Sequence, residues 1–140
     1  IRDNLPWLEF RRVLFDLKIY PQSELLDKTL REFADRIKPC EAILILDANS
    51  LIIGEYFENE PSRLVLANST PYFLTLNDSL ENSAKTFHKM VVQRGDNVFY
   101  FDQFFIEKSD APLYLLIMKS INDFSPEMIE SFTTILKSML

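Results

Sequence analysis

The chain has 140 residues, 47% of them apolar and 26% charged, and a formal net charge of −6. This length suits one domain with a single core, and the apolar content excludes a disordered chain. The negative charge argues against a nucleic-acid surface, because the Arg11-Arg12 pair is the only basic cluster that stands out.

The first predicted element is a helix over about Pro6 to Ile19, which Asp3 or Asn4 can cap. Its apolar residues lie on several sides of the helix, so one core cannot cover them all. One seam consists of Trp7, Phe10, Leu14 and Leu17. We therefore expect residues 1–20 to be a dimerisation helix or linker and residues 21–140 to form the main domain.

A second helix is predicted over Glu24 to Ile37, with a single apolar stripe, and Pro39 closes it. The unbroken apolar run Ala42 to Leu46 is typical of a central strand covered on both faces. A turn-forming segment follows, and Leu51 to Phe57 returns as a second strand. The two strands are predicted to form a hairpin.

The segment from Ser62 to Asn77 has the weakest pattern in the chain. Either a short helix or a strand fits Arg63 to Leu66, and a strand fits Tyr72 to Leu76. This part of the prediction therefore keeps both alternatives open.

A third amphipathic helix is predicted to follow a cap at Asp78 or Ser79 and to end at Gly95. Its stripe consists of Leu80, Ala84, Phe87 and Val91. The aromatic and β-branched run Asn97 to Asp102 then predicts a strand. This passage indicates a helix lying over a sheet and leading directly into it.

The pattern near the end of the chain predicts a second hairpin, with strands over Gln103 to Lys108 and Pro112 to Ser120. A closing helix is predicted after it. Ser125-Pro126-Glu127 is a favourable helix start, and Phe132 and Leu136 belong to the apolar stripe that follows. The predicted class is therefore α/β (α+β), with an antiparallel sheet of about five to six strands. We expect its N- and C-terminal helices to pack together.

The order of these elements resembles the GAF domain, a sensory fold with an antiparallel sheet and helices on its faces. The resemblance covers roughly Ser23 to Leu140, and its best local matches are Val91 to Asp102 and Asp123 to Glu127. One departure is Ser109-Asp110-Ala111, where that family often has a glycine-containing turn. The resemblance implies a regulatory domain that either binds a small molecule in a pocket between sheet and helices or simply dimerises, and that signals to an attached output domain through its terminal helices.

The reactive residues limit the chemistry open to the chain. His88 is the only histidine and Cys40 the only cysteine, so a histidine-rich metal site or an internal disulfide cannot form. The two glycines, Gly54 and Gly95, lie too far apart to make a phosphate-binding loop. We expect no catalytic or metal-binding residues, and any cofactor is unknown.

A ligand pocket is the expected functional site, because aromatic residues are dense around the predicted sheet. The candidate ligand-binding residues are Tyr72, Thr75, Phe87, His88, Tyr100 and Asp102. The candidate dimer interface consists of Trp7, Phe10, Leu14, Leu17, Phe132 and Leu136. Aromatic residues in such a pattern are more often part of the core than of a pocket.

The leading hypothesis is a non-enzymatic GAF-like signalling domain that forms a homodimer and binds a small ligand. The alternative is a protein–protein interaction module with a PAS-like or longin-like fold and no pocket. Since the chain opens at Ile1 and closes at Leu140 inside a helical pattern, we expect an attached output domain in a longer protein. The single cysteine and short apolar runs favour a cytoplasmic setting without membrane insertion.

Overall fold

A computed structural model describes residues 22–81, 89–106 and 110–140. In these ranges the elements are α1 (Gln22–Arg36), β1 (Cys40–Leu46), β2 (Ile52–Phe57), α2 (Glu60–Glu81), β3 (Lys89–Arg94), β4 (Asn97–Phe105), β5 (Pro112–Lys119) and α3 (Pro126–Met139). The strands form one sheet in the order β2-β1-β5-β4-β3, and all neighbouring pairs are antiparallel. The predicted α+β class with an antiparallel sheet is confirmed.

The sheet is covered on both faces, because its central strands β1 and β5 are apolar on both sides. Ile43 and Ile45 point to a core formed with α1 and α3, which we call the α1/α3 core. Leu44 and Leu46, which alternate with them, point to a second core beneath α2, which we call the α2 core. The predicted central strand is therefore confirmed, with helices on both faces.

Helices α1 and α3 lie side by side over the first core. Their closest aromatic contact is between Phe33 and Phe132, whose rings stack with centroids 3.8 Å apart. The predicted start of α3 is confirmed, since the Ser125 hydroxyl accepts a hydrogen bond from the Met128 amide at 3.4 Å. The first helix of the chain, predicted over Pro6 to Ile19, lies outside the described residues.

The weakly predicted segment is one long helix, α2, so the strand predicted over Tyr72 to Leu76 is wrong. Its inward residues recur at helical spacing and pack against the sheet. They include Leu66, Thr70, Phe73 and Asn77. Pro71 lies within this helix and removes one backbone donor, which masked the helical pattern in the sequence.

The helix predicted to end at Gly95 is wrong over its last turns, because Lys89 to Arg94 form strand β3. Gly95 does adopt the left-handed conformation, with φ of 60°, but in the turn that joins β3 to β4. Adjacent Val91 and Val92 therefore pair with β4 as a hairpin. Phe87 and His88 lie outside the described residues.

The strand predicted over Gln103 to Lys108 is not separate from the one before it. Strand β4 runs without a break from Asn97 to Phe105 and pairs with β5 along its length. The side chain of Gln103 is buried, and its Oε1 accepts a hydrogen bond from the side-chain amide of Asn77 in α2 at 2.6 Å. This contact ties the continuous strand to the helix above it.

Gly54 of β2 allows α1 to approach the sheet closely. A Cβ atom at this position would lie 2.7 Å from Leu26 Cδ2 and 3.2 Å from Leu30 Cδ1. We expect Gly54→Ala to lower the free energy of unfolding by about 1–3 kcal/mol, because α1 must move outward. Urea denaturation measures this change.

The matched partner for this test is Leu26→Ala, which removes the side chain that a new Cβ would strike. Gly54→Ala should cost less stability in the Leu26→Ala background than in the native one, as a double-mutant cycle would show. An equal cost in both backgrounds would mean that close packing against α1 is not the cause.

Cys40 opens β1 and is buried in the α1/α3 core. Burial raises the pKa of its thiol to about 12, and the nearby charge of Lys119 only partly offsets that effect. We expect alkylation of Cys40 at mildly alkaline pH to be slow in the folded protein and rapid in denaturant, because the thiolate is the reactive form. Equal rates in the two states would contradict this placement.

Candidate interaction surface

The two edges of the sheet differ in how well they are protected. At the β2 edge, the Asp27 carboxylate of α1 accepts a hydrogen bond from the Glu55 backbone amide at 3.1 Å. Arg63 of α2 holds the side chain of the same Glu55 at 3.2 Å and that of Glu60 at 3.1 Å. Helices on both faces therefore close this edge against another strand.

Strand β3 forms the other edge, and within the described residues no strand pairs with its outer side. Its six residues are exposed except for half-buried Met90. Val91 and Val92 are 49% and 37% exposed. An unpaired edge strand with apolar side chains is a template for another strand, so β3 is a candidate binding edge.

Helix α2 is apolar on its outward face as well as its inward one. The exposed apolar residues are Leu64, Val65, Tyr72 and Leu76. Tyr72 is 78% exposed, although aromatic residues usually gain most from burial. Apolar residues grouped on an outward helix face are typical of a surface that contacts another protein.

The apolar face of the sheet continues from α2 to the β3 edge. Helix α2 packs over β1, β2 and β5, and its Phe73 ring reaches Phe99 and Phe101 of β4. Next to these rings lie Met90 and Val92, which pair with Phe101 and Phe99 across the hairpin. Strand β4 thus connects the β3 edge to the face of the sheet that α2 covers, and we call β3 together with the outward apolar residues of α2 the β3/α2 surface.

The four predicted ligand-binding residues that the structure describes lie in two separate places. Tyr72 and Thr75 are exposed on α2. Tyr100 points into the α1/α3 core on the opposite face of the sheet. Phe87 and His88 lie outside the described residues, so the pocket predicted between them and Tyr100 is not part of the described site.

Tyr100 and Asp102 do meet, as a buried pair. The Tyr100 hydroxyl donates to Asp102 Oδ2 at 3.3 Å, and the Tyr100 ring stacks on Phe124. Burial raises the pKa of the Tyr100 hydroxyl, and the neighbouring Asp102 charge raises it further. The phenol therefore stays protonated and acts as a core hydrogen-bond donor.

Two of the predicted dimer-interface residues lie inside this chain's own core. Phe132 and Leu136 of α3 are buried in the α1/α3 core, 2% and 0% exposed. The other four, on the predicted N-terminal helix, lie outside the described residues. The side chains of Phe132 and Leu136 are therefore engaged within one chain.

A shallow groove of about 100 Å³ runs between α1 and α3 on the outer surface. Phe33 and Phe132 form its floor, and its walls include Glu32, Met128 and Ile135. Pockets for small ligands usually hold about 300 Å³ or more. The groove is therefore too small for a pocket of the expected kind.

The described residues offer no metal site and no membrane span. In ranges 22–81, 89–106 and 110–140, no group of three or more His, Cys, Asp or Glu side chains is placed to hold a metal ion. Within the same ranges, no helix combines the length and apolarity needed to cross a bilayer. The β3/α2 surface is thus the strongest candidate for function in this part of the chain.

Sequence signals for this surface existed but were ambiguous. Val91 and Val92 fit a helical stripe as well as a β-branched edge strand. Leu64 and Val65 fall in one short predicted segment and Leu76 in another, so the sequence does not show that one helix carries apolar residues on two faces. The sequence alone therefore does not reveal this surface, because its pattern predicts a helix where β3 lies and short separate segments where α2 lies.

Solved structures similar to this chain share its fold at low sequence identity. MglB from Myxococcus xanthus aligns with a TM-score of 0.54 and 8% identity, covering 86% of this chain and 92% of its own. A Roadblock/LC7 domain from Streptomyces avermitilis gives 0.58 and 9%, covering 81% and 92%. An MglB described as having a tetrameric arrangement gives 0.57 and 12%, covering 85% and 87%.

These likenesses correct the family resemblance inferred from the sequence. The structural neighbours are Roadblock/LC7 domains, which are longin-like, so the predicted GAF identity and the sensor role attached to it are wrong. Neither a protein-family model nor a curated protein sequence matches the chain. What the comparisons show is a fold of the Roadblock/LC7 type.

Proposed function

We propose that this chain is a non-enzymatic regulatory domain that works by protein–protein interaction and forms a homodimer through the β3/α2 surface. The observation that carries the proposal is the difference between the two sheet edges. Asp27 and Arg63 close the β2 edge, whereas no strand of the described residues pairs with the outer side of β3. The Roadblock-type fold of the neighbours supports an interaction role.

In a dimer with a two-fold axis beside β3, each copy would cover the unpaired backbone groups of the other copy's edge strand. Antiparallel pairing of two β3 strands extends the sheet across both chains and satisfies the backbone groups of both edges. Such an axis keeps Met90 and Val92 of both copies on the α2 face of the joint sheet. The outward face of each α2, including Tyr72, then lies near the junction and loses apolar surface to the partner.

The MglB structure with a tetrameric arrangement supports the expectation that this fold can assemble with itself. A symmetric pair uses the same patch on both chains and closes without leaving an edge. Closing the last open edge removes the aggregation risk of an exposed apolar strand. A dimer also offers a partner protein a larger, two-sided surface.

Val92→Lys tests the strand pairing. An edge lysine must give up its water when another strand pairs beside it, so we expect the dimer dissociation constant to rise by about tenfold or more, equivalent to at least about 1.4 kcal/mol. Sedimentation velocity over a concentration series measures the change, and circular dichroism checks that the variant folds.

Ile121→Lys is the matched control for this variant. Ile121 is 52% exposed, in the connection between β5 and α3, away from the β3/α2 surface. Ile121→Lys should leave the dimer dissociation constant unchanged. A wild-type chain that stays monomeric at high concentration would overturn the dimer, and an equal effect of both lysines would remove β3 from the interface.

Tyr72→Ser tests the helix side of the same surface. Aromatic anchors commonly contribute more than 1 kcal/mol to an interface, so we expect weaker dimerisation by about fivefold or more. The free energy of unfolding of the monomer should change by only about 0.5 kcal/mol, because Tyr72 is exposed there. A variant that loses monomer stability but not dimer affinity would contradict this role.

A further inference from the structure

One residue of the β2 edge is held by both helices that flank it. The Glu55 backbone amide donates to Asp27 Oδ1 of α1 at 3.1 Å, and the Glu55 side chain accepts from Arg63 of α2 at 3.2 Å. We propose that the Asp27–Glu55 contact is an autoinhibitory strap, which stops β2 from pairing with β2 of a second copy. The limit of assembly to two chains rests on the proposed β3 dimer, whereas the strap itself does not.

The hydrogen bonds between β1 and β2 show which backbone groups of β2 face away from the sheet. The Glu58 amide, directly after β2, donates to the Glu41 carbonyl of β1 at 2.9 Å. Backbone groups alternate in direction along an antiparallel strand. In the observed register the amides of Phe57 and Glu55 therefore point outward. Asp27 thus occupies a donor that a neighbouring strand would use.

The position of Asp27 follows from the close packing of α1 on the sheet. Leu26 packs directly on Gly54, where a Cβ atom would lie 2.7 Å from Leu26 Cδ2. Asp27 and Glu55 are the next residues along the two elements, so the same close approach brings the carboxylate to the outward amide. Asp27 is half-buried there, which partly shields the hydrogen bond from competing water.

Helix α2 fixes side chains of the same edge from the opposite face of the sheet. The Arg63 side chain is 5% exposed, and its guanidinium lies 3.2 Å from the Glu55 carboxylate and 3.1 Å from that of Glu60. The guanidinium carbon also lies 5.4 Å from the centre of the Phe57 ring. Helix α2 therefore holds side chains of β2 while Asp27 holds its backbone. Another strand can pair with this edge only after the strap opens.

A second copy of β2 is complementary to the edge that the strap covers. Two β2 strands related by a two-fold axis at Tyr56 would place Glu55 of one copy opposite Phe57 of the other. The outward backbone groups of these residues would then bond to each other, and no two carboxylates would stand opposite one another. An axis at Glu55 would instead oppose two identical charges. The β2 edge is therefore self-complementary in the register centred on Tyr56.

Opening the β2 edge changes the symmetry of the assembly. A chain that pairs only through β3 forms a closed pair, because each contact occupies the same edge on both copies. A chain with two self-complementary edges joins further copies alternately through β3 and β2, and such an assembly has no fixed size. The strap therefore decides between a closed dimer and an open filament.

Asp27→Ala tests the strap, because it removes the acceptor of the Glu55 amide. Sedimentation velocity at high concentration should give a mass at least about twofold above that of the wild-type assembly, since joining two closed pairs doubles the mass. Asp35→Ala is the matched control on the same helix, where the Asp35 side chain is 65% exposed and pairs with Lys38 at the surface. Asp35→Ala should leave the mass unchanged. Circular dichroism and urea denaturation check that both variants fold.

Two further variants separate the hydrogen bond from other effects of the substitution. Asp27→Asn keeps a side-chain carbonyl that can accept from the Glu55 amide, so its mass should stay at the wild-type value. Phe57→Pro in the Asp27→Ala background removes an outward amide and keeps the bonds to β1, so it should reverse the growth. Growth that persists in this double variant would contradict pairing through β2.

Hydrogen exchange tests the strap in the wild-type chain, without any substitution. Amides on the outer side of an edge strand exchange quickly when no partner protects them. The Glu55 amide should be protected at every protein concentration, and at low concentration Asp27→Ala should speed its exchange by about tenfold, the effect of one lost hydrogen bond. Protection that rises with concentration would mean that a second copy, rather than Asp27, covers this amide.

The outcomes distinguish failure of the strap from failure of the β3 dimer. If β3 does not pair, the wild-type chain stays monomeric and Asp27→Ala forms dimers, which supports the strap alone. If both proposals are right, Asp27→Ala combined with Val92→Lys should stop at dimers, because only β2 remains able to pair. A folded Asp27→Ala variant with the wild-type mass at every concentration would overturn the strap. An unprotected Glu55 amide in the wild-type chain would overturn it as well.

Discussion

The structure depends on two central strands that are apolar on both faces. Strands β1 and β5 carry side chains such as Ile43 and Leu44 toward opposite cores, and each core must be shielded from water. Helices α1 and α3 cover one face and α2 covers the other. The close approach of α1 at Gly54, the Phe33–Phe132 stack and the Asn77–Gln103 hydrogen bond all serve this double cover.

Double cover also explains where the domain can interact. Helices cover both faces of the sheet, so its two edges and the outer sides of the helices are the surfaces left for contact with other proteins. One edge is closed by Asp27 and Arg63, while at the other edge no strand in the described part of the chain pairs with the outer side of β3. On the other face, α1 and α3 leave only a shallow groove of about 100 Å³ between them within the described residues. Neither surface requires catalysis.

The sequence predicted those elements whose local signals agree with their tertiary setting. Helix α1 has one apolar stripe, β1 is a continuous apolar run, and α3 has a serine cap followed by proline, and all three were predicted within a few residues. The prediction of α2 failed because Pro71 and apolar residues on both faces obscure its helical period. The prediction of β3 failed because Val91 fits a helical stripe as well as a strand. With these two elements misassigned, the order of elements resembled a GAF domain.

The sequence by itself determined the α+β class, the antiparallel sheet with helices on its faces and the lack of residues for a histidine metal cluster or an internal disulfide. These properties follow from composition and local period, which act over a few residues. Only the tertiary structure decided which face each strand residue meets and which edge stays open. That decision separated Tyr72 from Tyr100 and placed Phe132 in the core, because strand order and burial arise from contacts between residues far apart in the chain.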